Sequence, residues 1–320
     1  MAGSWDLDPQ LFRTEAIDPV TAAFNEQLAQ LLATVPSIVG QDAQKVRDAR
    51  REGGSTFPPP LYSERAQTRS IPGPGGAVPL RLFVPDTVRG VYLHIHGGGW
   101  TLGTADSQDT MLDQLADAAS VAVVSVEYRL SPEHPYPAGP DDCEVAALWL
   151  AEHAASEFGA DRLVIGGESA GGHLSVVTLV RLRDRHGYTG CRGADLVYGA
   201  YDLSGTPSVR GWQTPNLVLD RSNIEWFTDN FVPDATRRRE PDVSPLYADL
   251  RGLPPALFTI GTLDPLIDDN LFMYARWVAA GNEANLAVYP GGVHGFTLFP
   301  TPIGQRALER SAAFVAAAVS

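Results

Sequence analysis

Cysteine, lysine and long apolar runs are scarce in this sequence of 320 residues. The two cysteines, Cys143 and Cys191, lie far apart without the spacing of metal ligands, so we expect unpaired buried thiols, with a disulfide as the alternative. Lys45 is the only lysine, arginine supplies every other cationic side chain, and the formal net charge is -14. An acidic surface repels the phosphates of nucleic acids and anionic lipids, so we expect neither as a partner.

The missing apolar runs bear on where the protein acts. No stretch approaches the run of about 20 apolar residues that a membrane-spanning helix needs. The N-terminal residues have no positive patch and no apolar core, so they do not resemble a signal peptide. We therefore expect a cytoplasmic protein that does not act at a membrane. No group of histidines, cysteines and carboxylates has the spacing of a zinc site, and neither a metal nor another cofactor is expected.

The periodicity of the apolar residues changes near residue 60. Residues 1–55 have no strand pattern, and helical spacing relates four of their apolar residues, Val20, Phe24, Leu28 and Leu31. Three prolines at 58–60 then end helix formation. Residues 64–71 and 77–84 are predicted to pair as a hairpin around the glycine-rich turn at 73–76.

Beyond the hairpin, short apolar runs alternate with helical stretches. The predicted strands are 91–95, 121–126, 163–165, 194–198, 256–260 and 286–289. The predicted helices are 107–119, 140–156, 170–186, 268–280 and 303–318. Most of the strand residues are apolar, as in strands that are buried on both faces. Alternation of strand and helix predicts the α/β class, with a mainly parallel central sheet flanked by helices.

Residues 201–245 interrupt this alternation and are too long for a simple connection. They are rich in large aromatic residues, namely Trp212, Trp226, Phe227 and Phe231. We predict that this insertion and the N-terminal helices of residues 1–55 form a helical cap on a catalytic domain of residues 56–320. Trp100, Trp212 and Phe227 are the predicted lining of a substrate pocket, and ordinary helix packing is the alternative role for the aromatic residues of the insertion.

The strongest local motif runs from residue 167 to 171 with the sequence Gly-Glu-Ser-Ala-Gly. It follows a predicted strand and opens a predicted helix, which is the context that a G-x-S-x-G nucleophile turn requires. Because the turn is sharp, only small residues fit on either side of Ser169. The helix N-terminus at this position favours developing negative charge. A plain glycine turn and a dinucleotide loop are the alternatives, but the G-x-G-x-x-G spacing of the latter is not found here.

A second glycine-rich segment, His-Gly-Gly-Gly-Trp at 96–100, directly follows the first strand of the alternation. Consecutive glycines let backbone N–H groups point into a cavity, where they can stabilise the oxyanion of an acyl-transfer intermediate. The N–H groups of Gly97, Gly98 and Ala170 are the predicted donors. A phosphate loop is the alternative, but no Gly-Lys-Ser/Thr follows. We expect His96 to anchor this loop rather than to act as a base.

A serine hydroxyl needs a neighbouring base to take its proton before it can act as a nucleophile. His294 is the predicted base, because it follows the last predicted strand and catalytic groups converge at the carboxyl ends of parallel strands. His173 is the alternative, but it lies one helical turn beyond Ser169, where we expect it to be packed.

The base in turn needs a carboxylate that holds its tautomer and balances its charge. Asp264 lies just after the strand predicted at 256–260 and is the predicted acid. Pro265 follows it, so a helix N-cap is the alternative role, and Asp268 and Asp269 are the alternative acids. The order serine, aspartate, histidine along the chain is the order expected of an α/β-hydrolase fold.

Together these segments resemble the hormone-sensitive lipase family of bacterial esterases. The resemblance rests on residues 96–100, 167–172, 244–246, 264–266, 294–296 and 127–138, the last being similar to the family's Y-R-L-A-P-E-H-x-F-P-A. It implies an α/β-hydrolase fold with a helical cap, a carboxylesterase that prefers short acyl chains, and the oxyanion donors named above. Ser131 stands where the family usually has alanine, and Glu168 where it usually has aspartate or threonine, so hydrogen bonding near both can differ.

Two other functions remain open at this point: an amidase or formamidase with the same nucleophile, and a small-molecule receptor without catalytic activity. The complete set of Ser169, Asp264 and His294 argues against the receptor. We predict a serine carboxylesterase that cleaves short- to medium-chain esters of small molecules. The last predicted strand, 286–289, can be a sheet edge and hence the surface of a homodimer.

Overall fold

The computed structural model describes residues 7–53, 60–213 and 217–320, so that most of the prolines at 58–60 lie outside the described residues. The strands are β1 Gln67–Gly73, β2 Gly76–Phe83, β3 Gly90–Ile95, β4 Val121–Val126, β5 Leu163–Glu168, β6 Gly193–Val197, β7 Ala256–Leu263 and β8 Ala284–Val293. The α-helices are α1 Pro19–Leu32, α2 Ala43–Arg51, α3 Asp109–Ala119, α4 Ala138–Phe158, α5 Ala170–His186, α6 Pro207–Gly211, α7 Arg221–Phe231, α8 Ile267–Ala279 and α9 Pro302–Ala318. Short 3-10 helices are Pro9–Phe12, Thr14–Ala16, Ala235–Arg237, Pro245–Tyr247 and Phe296–Leu298. Within the described ranges no helix is long and apolar enough to cross a membrane.

The strands form one sheet in the order β1-β2-β4-β3-β5-β6-β7-β8. β1 and β2 form the hairpin that the sequence predicts, with Gly73 opposite Gly76. β2 pairs with β4 in the antiparallel direction, and every pair from β4 through to β8 is parallel. The predicted α/β class and the mainly parallel sheet are therefore confirmed.

Alternating residues of the central strands face two separate helical layers, because successive strand side chains point to opposite faces. In β4, Val124 belongs to the same core cluster as Leu150 of α4. Its neighbour Val123 belongs to the cluster of Leu112 of α3 and Val315 of α9. Both faces of the strand need apolar side chains, which explains its unbroken apolar sequence.

The sheet reverses its order of strand addition at β3, since β4 lies on one side of β3 and β5 on the other. Ile95, at the end of β3, is in register with Gly167 of β5. The segments that follow these two strands therefore leave the same edge of the sheet side by side, where open α/β folds bind their ligands. Leu263 of β7 pairs with Val293 of β8, so the segments after the last two strands also meet.

Three strands extend beyond their predicted ends. β5 continues through its glycines to Glu168, β7 reaches Leu263, and β8 reaches Val293. The predicted strands end where glycine or polar residues interrupt the apolar runs. The main-chain hydrogen bonds between strands do not depend on apolar side chains, so the strands continue further. At Gly166 glycine is required, because an added Cβ would lie 2.5 Å from the carbonyl oxygen of Asp195 on the neighbouring strand.

The apolar stripe predicted in the first helix is only partly buried. Leu28 of α1 is buried, but Val20 and Leu31 are 59% and 50% exposed. The buried face is rotated and includes the fully buried Thr21. The helix packs against β8, where a Cβ added at Gly291 would lie 3.0 Å from the methyl group of Thr21. A small side chain fits this close approach to the strand.

Cys143 and Cys191 are both buried and both free, as expected. Burial raises the pKa of the Cys191 thiol to about 12, and it raises the pKa of the Cys143 thiol as well. Because the thiolate is the reactive form, both groups are inert at neutral pH.

The guanidinium of Arg47 joins α2 to two segments that follow β3 and β4. Arg47 of α2 donates from Nε to the carbonyl oxygen of Thr101 at 2.8 Å and from Nη2 to that of Ser131 at 2.6 Å. Its two terminal nitrogens also bind the carboxylate oxygens of Glu133, at 2.9 and 2.7 Å. These bonds fix α2 to the segment that follows the glycine-rich loop of residues 96–100.

Replacement of Arg47 by alanine should destabilise the protein by about 1 to 3 kcal/mol, because two main-chain carbonyls and a carboxylate lose a charged donor. Arg221→Ala is the matched control, since Arg221 forms an exposed ion pair with Glu225 within α7. Such pairs contribute about 0.3 to 0.5 kcal/mol. Urea denaturation followed by circular dichroism measures the free energy of unfolding of both variants. An equal decrease of this free energy in the two would show that the Arg47 bonds contribute no more than a surface ion pair.

Candidate active site

Ser169 lies at the turn between β5 and α5, in a backbone conformation with φ 58° and ψ -118° that L-residues rarely adopt. Its N–H donates to the carbonyl oxygen of Val197 at 2.9 Å, which helps to hold the turn. A Cβ added at Gly167 or Gly171 would lie 2.0 or 1.8 Å from the carbonyl oxygen of Ile95. The glycines on both sides of the serine are therefore required by the close approach of β3.

Three side chains that follow three different strands form a chain of hydrogen bonds. Nε2 of His294 is 2.9 Å from Oγ of Ser169, and Nδ1 of His294 is 2.8 Å from Oδ2 of Asp264. Oδ1 of the fully buried Asp264 accepts a hydrogen bond from the N–H of Leu266 at 2.9 Å. A carboxylate beside Nδ1 accepts its hydrogen, which leaves Nε2 free to accept from the serine hydroxyl. The arrangement can move a proton from Ser169 to His294.

Two other histidines near the serine are held elsewhere. Nδ1 of His173 accepts from the indole N–H of Trp100 at 3.0 Å, and its Nε2 donates to the carbonyl oxygen of Val243 at 2.8 Å. His96 donates from Nδ1 to the carbonyl oxygen of Gly97 at 2.8 Å, which is the anchoring contact expected of it. Burial lowers the pKa of both rings to about 4, so both are neutral at physiological pH.

The alternative carboxylates also have other partners. Asp269 accepts from the main-chain N–H groups of residues 201–202, at 2.7 and 2.9 Å. Asp268 accepts from the N–H of Ser208 at 2.8 Å. Asp264 is thus the carboxylate of its segment that reaches the imidazole of His294.

The loop after β3 supplies backbone N–H groups close to the serine, but the prediction for Gly97 is wrong. Its N–H donates to Oε1 of Glu168 at 2.6 Å, so this donor is already bonded. In the described part of the chain the N–H groups of Gly98, Gly99 and Ala170 have no hydrogen-bond partner. All three residues line the cavity that also contains the serine.

Glycine is required at two positions of this loop. Gly98 has φ 114° and Gly99 has φ 60°, in the region that favours glycine. A Cβ added at Gly98 would lie 2.2 Å from the carbonyl oxygen of Leu102, and one at Gly99 would overlap the ring of Phe227. The loop can approach its neighbours only because it has no side chains there.

The site opens into a cavity of about 1190 Å³. Its lining includes five apolar residues, referred to below as the apolar wall, which are Leu219, Ile224, Phe227, Leu298 and Phe299. It also includes the polar residues Gln44, Arg47, Arg51, Asp106 and Gln108. Small-molecule sites are typically about 300 to 1000 Å³, so this cavity has room for both halves of a small ester.

Comparison with known proteins identifies the family of the chain. A family model described as the α/β hydrolase fold matches residues 92–298, more than half of the chain. The chain belongs to the α/β-hydrolase fold family. Carboxylesterase NlhH of Mycobacterium tuberculosis is 36% identical over 311 residues, which cover 91% of this chain and 92% of that protein. Ethyl acetate hydrolase of Pseudomonas putida is 31% identical over 298 residues, 88% of this chain and 92% of that protein.

Solved esterase structures share the fold of this α/β hydrolase. The hyperthermophilic esterase of Pyrobaculum calidifontis superposes with a TM-score of 0.86 at 30% identity, over 95% of this chain and all of that one. The carboxylesterase EstE1, cloned from a metagenomic library, superposes with a TM-score of 0.81 at 29% identity, over 89% of this chain. The protein is therefore a carboxylic ester hydrolase, and the resemblance to hormone-sensitive-lipase-like carboxylesterases is confirmed.

Two of the three predicted pocket residues line the cavity of this hydrolase. Phe227 forms part of its apolar wall. Trp100 also lines it, but its indole N–H is bonded to His173 and its ring stacks on Phe231 at a centroid distance of 4.8 Å. The structure does not place Trp212 in the lining, because this residue follows α6, which packs against α8.

Sequence reasoning missed Tyr198 and Gln108 as parts of the site. Tyr198 follows β6 and packs edge-on against the imidazole of His294, with ring centroids 4.9 Å apart. Its hydroxyl is hydrogen-bonded to Oγ1 of Thr297 at 2.6 Å. Catalytic groups often lie just after a parallel strand, and that position could have indicated Tyr198. In the sequence, however, Tyr198 continues an apolar run and is predicted as part of the strand. Gln108, which donates to Glu168, has no motif around it.

Behind the serine turn, β6 carries a buried carboxyl group. Asp195 is 2% exposed, and its Oδ1 accepts from Oγ of Ser311 at 3.1 Å. Burial raises the pKa of Asp195 from 3.8 to about 7. The folded protein therefore holds this proton more tightly than the unfolded chain, and the contribution of Asp195 to stability falls as the pH rises from about 4 to about 7.

Asp195→Asn should flatten the dependence of stability on pH. Asparagine stays neutral and keeps an acceptor for Ser311, so the variant should lose less Tm than the wild type between about pH 5 and about pH 8. Scanning calorimetry across this range measures the difference. Asp249→Asn is the control, because the hydrogen bond from Arg251 lowers the pKa of this exposed carboxyl, which stays ionised throughout. Parallel Tm curves for the wild type and Asp195→Asn would contradict the assigned protonation.

Proposed function

We propose that this carboxylic ester hydrolase works by acyl transfer through Ser169. His294 takes the hydroxyl proton as Oγ attacks the ester carbonyl carbon, which becomes tetrahedral, while the carbonyl oxygen becomes an oxyanion. When the intermediate collapses, His294 gives the proton to the leaving alcohol and the acyl group stays on Ser169. Water, deprotonated by the same imidazole, then attacks the acyl-enzyme, and His294 returns that proton to Oγ of Ser169 as the acid is released.

Asp264 is the proposed acid of this set. Its carboxylate is fully buried, so it meets the imidazole without competition from water. The hydrogen bond at Nδ1 of His294 selects the tautomer that presents Nε2 to the serine. The imidazole gains positive charge during the attack, and the adjacent carboxylate stabilises that charge.

The proposed oxyanion donors are the N–H groups of Gly98, Gly99 and Ala170. This assignment is supported because none of the three N–H groups has a hydrogen-bond acceptor among the described residues, whereas the N–H of Gly97 is bonded to a carboxylate. Ala170 also opens α5, whose N-terminal end favours negative charge. A donor of this kind typically contributes about 3 to 4 kcal/mol to stabilisation of the transition state.

The observation that carries the proposal is the pair of contacts made by one imidazole. His294 lies 2.9 Å from the serine hydroxyl on one side and 2.8 Å from a buried carboxylate on the other. Neither contact follows from packing alone, since the three residues come from different parts of the chain. These contacts support Ser169 as nucleophile, His294 as base and Asp264 as acid, because the proton transfers need partners within hydrogen-bond reach.

Ser169→Ala should lower kcat for a p-nitrophenyl ester on the order of 10⁴-fold or more, because no other group can form the acyl-enzyme. It should also abolish labelling by a fluorophosphonate, which mass spectrometry of the intact protein detects. Ser156→Ala, an exposed serine of α4, is the matched control and should keep wild-type activity and labelling. Substantial esterase activity or labelling in folded Ser169→Ala would refute the assignment.

We also propose that residues 1–55 and 201–245 act as a cap that selects the substrate. Residues of α2 and of the segment from 218 to 227 line the same cavity as the serine, which supports this assignment. The apolar wall suits an acyl chain, and the resemblance described above favours short to medium lengths. Phe227 contributes a large ring to this wall, and its bulk is proposed to limit the length of the acyl chain that fits.

Phe227→Ala should shift the substrate preference towards longer acyl chains. Removal of the ring enlarges the apolar wall, so the ratio of kcat/KM for p-nitrophenyl octanoate to that for the acetate should rise at least about fivefold. A series of p-nitrophenyl esters of increasing length measures this ratio. Phe272→Ala, an exposed phenylalanine of α8, is the matched control and should keep the wild-type ratio. An unchanged ratio in Phe227→Ala would assign that ring to structure only.

A homodimer and a cytoplasmic location complete the proposal. β8 lies at one end of the sheet, which supports the expected edge surface. Size-exclusion chromatography with light scattering tests the dimer directly, and a mass equal to one chain at micromolar concentration would rule it out.

A further inference from the structure

The side chain of Glu168, the residue before the proposed nucleophile, makes three polar contacts. Its Oε1 accepts from the N–H of Gly97 at 2.6 Å and from Nε2 of Gln108. Its Oε2 is 3.0 Å from Nε2 of His94. The residue is 7% exposed, so these contacts are screened from water. The catalytic steps proposed above do not use this carboxylate.

The three partners belong to separate segments around the serine. Gly97 is in the loop of residues 96–99, one residue before the first proposed oxyanion donor. His94 is in β3, and its Nδ1 is 2.9 Å from Oγ of Ser125 in β4. Gln108 precedes α3 and lines the cavity. One carboxylate thus ties the loop, the sheet and a cavity wall to the residue that precedes the nucleophile.

The charge of Glu168 strengthens these bonds. Burial alone would raise its pKa, but the adjacent His94 and the N–H donor of Gly97 outweigh burial and hold the pKa below its usual value. The carboxylate is therefore ionised at neutral pH. Hydrogen bonds to an ionised acceptor are shorter and roughly twice as strong as those between neutral groups.

The geometry of the loop depends on main-chain hydrogen bonds, because glycine offers no side chain to hold it; besides the bond to Glu168, the carbonyl oxygen of Gly98 accepts from the N–H of Leu102 at 2.8 Å. Gly97, Gly98 and Gly99 have no side chains that can pack, and two of them have positive φ angles. On one side the loop is anchored through His96, whose carbonyl oxygen accepts from the hydroxyl of Tyr128 at 2.9 Å. The N–H of Gly97 belongs to the same peptide unit, so its bond to Glu168 holds that peptide at its other end. The next peptide carries the free N–H of Gly98, and its carbonyl oxygen, that of Gly97, accepts from Nδ1 of His96.

We propose that Glu168 is a positioning residue for the oxyanion hole: it holds the peptide of Gly97 so that the N–H groups of Gly98 and Gly99 face the oxyanion. The inference rests on the proposed function, since it concerns how that site is oriented. The polar partners of Glu168 are His94, Gly97 and Gln108 rather than Ser169, His294 or Asp264, so it acts through the loop. An error of 1 Å in such a loop typically costs on the order of 100-fold in rate.

Two substitutions separate the bond from the charge. Glu168→Ala removes the acceptor of Gly97, whereas Glu168→Gln keeps an amide oxygen for that N–H, removes the charge and places an NH2 group opposite Nε2 of His94. Glu144→Ala is the matched control, because Glu144 is also a buried carboxylate but binds Arg181, Arg185 and His186, which do not line the cavity. For each variant kcat and KM for p-nitrophenyl butyrate, the Ki of a trifluoromethyl ketone and the Tm are measured. The ketone forms a tetrahedral oxyanion adduct with a nucleophilic serine, so its Ki reports on the oxyanion hole.

Glu168→Ala should lower kcat by about 10- to 100-fold, leave KM within about threefold, and raise the Ki of the ketone by a similar factor to the loss in kcat. Glu168→Gln should keep kcat within about fivefold of the wild type, which identifies the hydrogen bond as the main contribution. Glu144→Ala should lower the Tm but keep kcat and Ki within about twofold, because its partners lie away from the loop.

The proposal fails if folded Glu168→Ala keeps kcat within about threefold, or if its Ki for the ketone is unchanged. It also fails if Glu144→Ala loses as much kcat for the same fall in Tm, since that would reduce the effect to general destabilisation. Ser169→Ala in the same assay keeps this outcome distinct from failure of the proposed function. If the wild type is active and Ser169→Ala is not, the acyl-transfer mechanism stands whatever Glu168 contributes.

Discussion

The site depends on how closely the end of β3 approaches the turn after β5. The carbonyl oxygen of Ile95 occupies space that a Cβ at Gly167 or Gly171 would need. Larger residues there would push β3 and its glycine-rich loop away from Ser169. Parallel pairing sets the direction of this approach, because Ile95 and Gly167 are in register. The glycines set its distance, and the oxyanion donors can stand beside the nucleophile only when both conditions hold.

Burial and hydrogen bonding divide the ionisable groups around the serine into different protonation states. Glu168 and Asp195 are both buried, and they lie on neighbouring strands. Glu168 has an N–H donor and His94 beside it, which hold its pKa low. Burial dominates at Asp195 and raises its pKa to about 7, and the charge of Glu168 adds to that rise. Below about pH 7 the two carboxyl groups near one turn therefore differ in charge, and the ionised one, Glu168, contacts the loop.

Much of the fold and most of the proposed catalytic set could be predicted from the sequence, because local rules decide them. A strand that must be buried on both faces needs an apolar run, and a sharp turn before a helix needs small residues around its serine. Ser169, Asp264 and His294 follow from their positions after predicted strands, and the structure brings their side chains into contact.

The wrong predictions concern residues whose place in the structure is decided by a contact between segments far apart in the sequence. The sequence pattern offers three equivalent glycines, and the bond that occupies Gly97 comes from a carboxylate 71 positions away. Val20 fits a helical stripe, but the neighbouring β8 accepts the smaller Thr21 instead. Trp212 shares the aromatic composition of its segment with Phe227, and only the path of α6 and α7 separates one from the cavity and places the other in it.

The contacts of Arg47 have a consequence for the order in which the molecule is completed. Its bonds to the main chain reach across 54 and 84 positions of the sequence. The helix α2, which carries Arg47, is synthesised before either acceptor. Arg47 can form these bonds only after β3 and β4 have formed and residues 101 and 131 have reached their final positions. Closing such long loops is slow and entropically costly. A nascent chain that ends before residue 131 therefore lacks one of the two main-chain acceptors of Arg47, and α2 cannot yet be fixed in its final position.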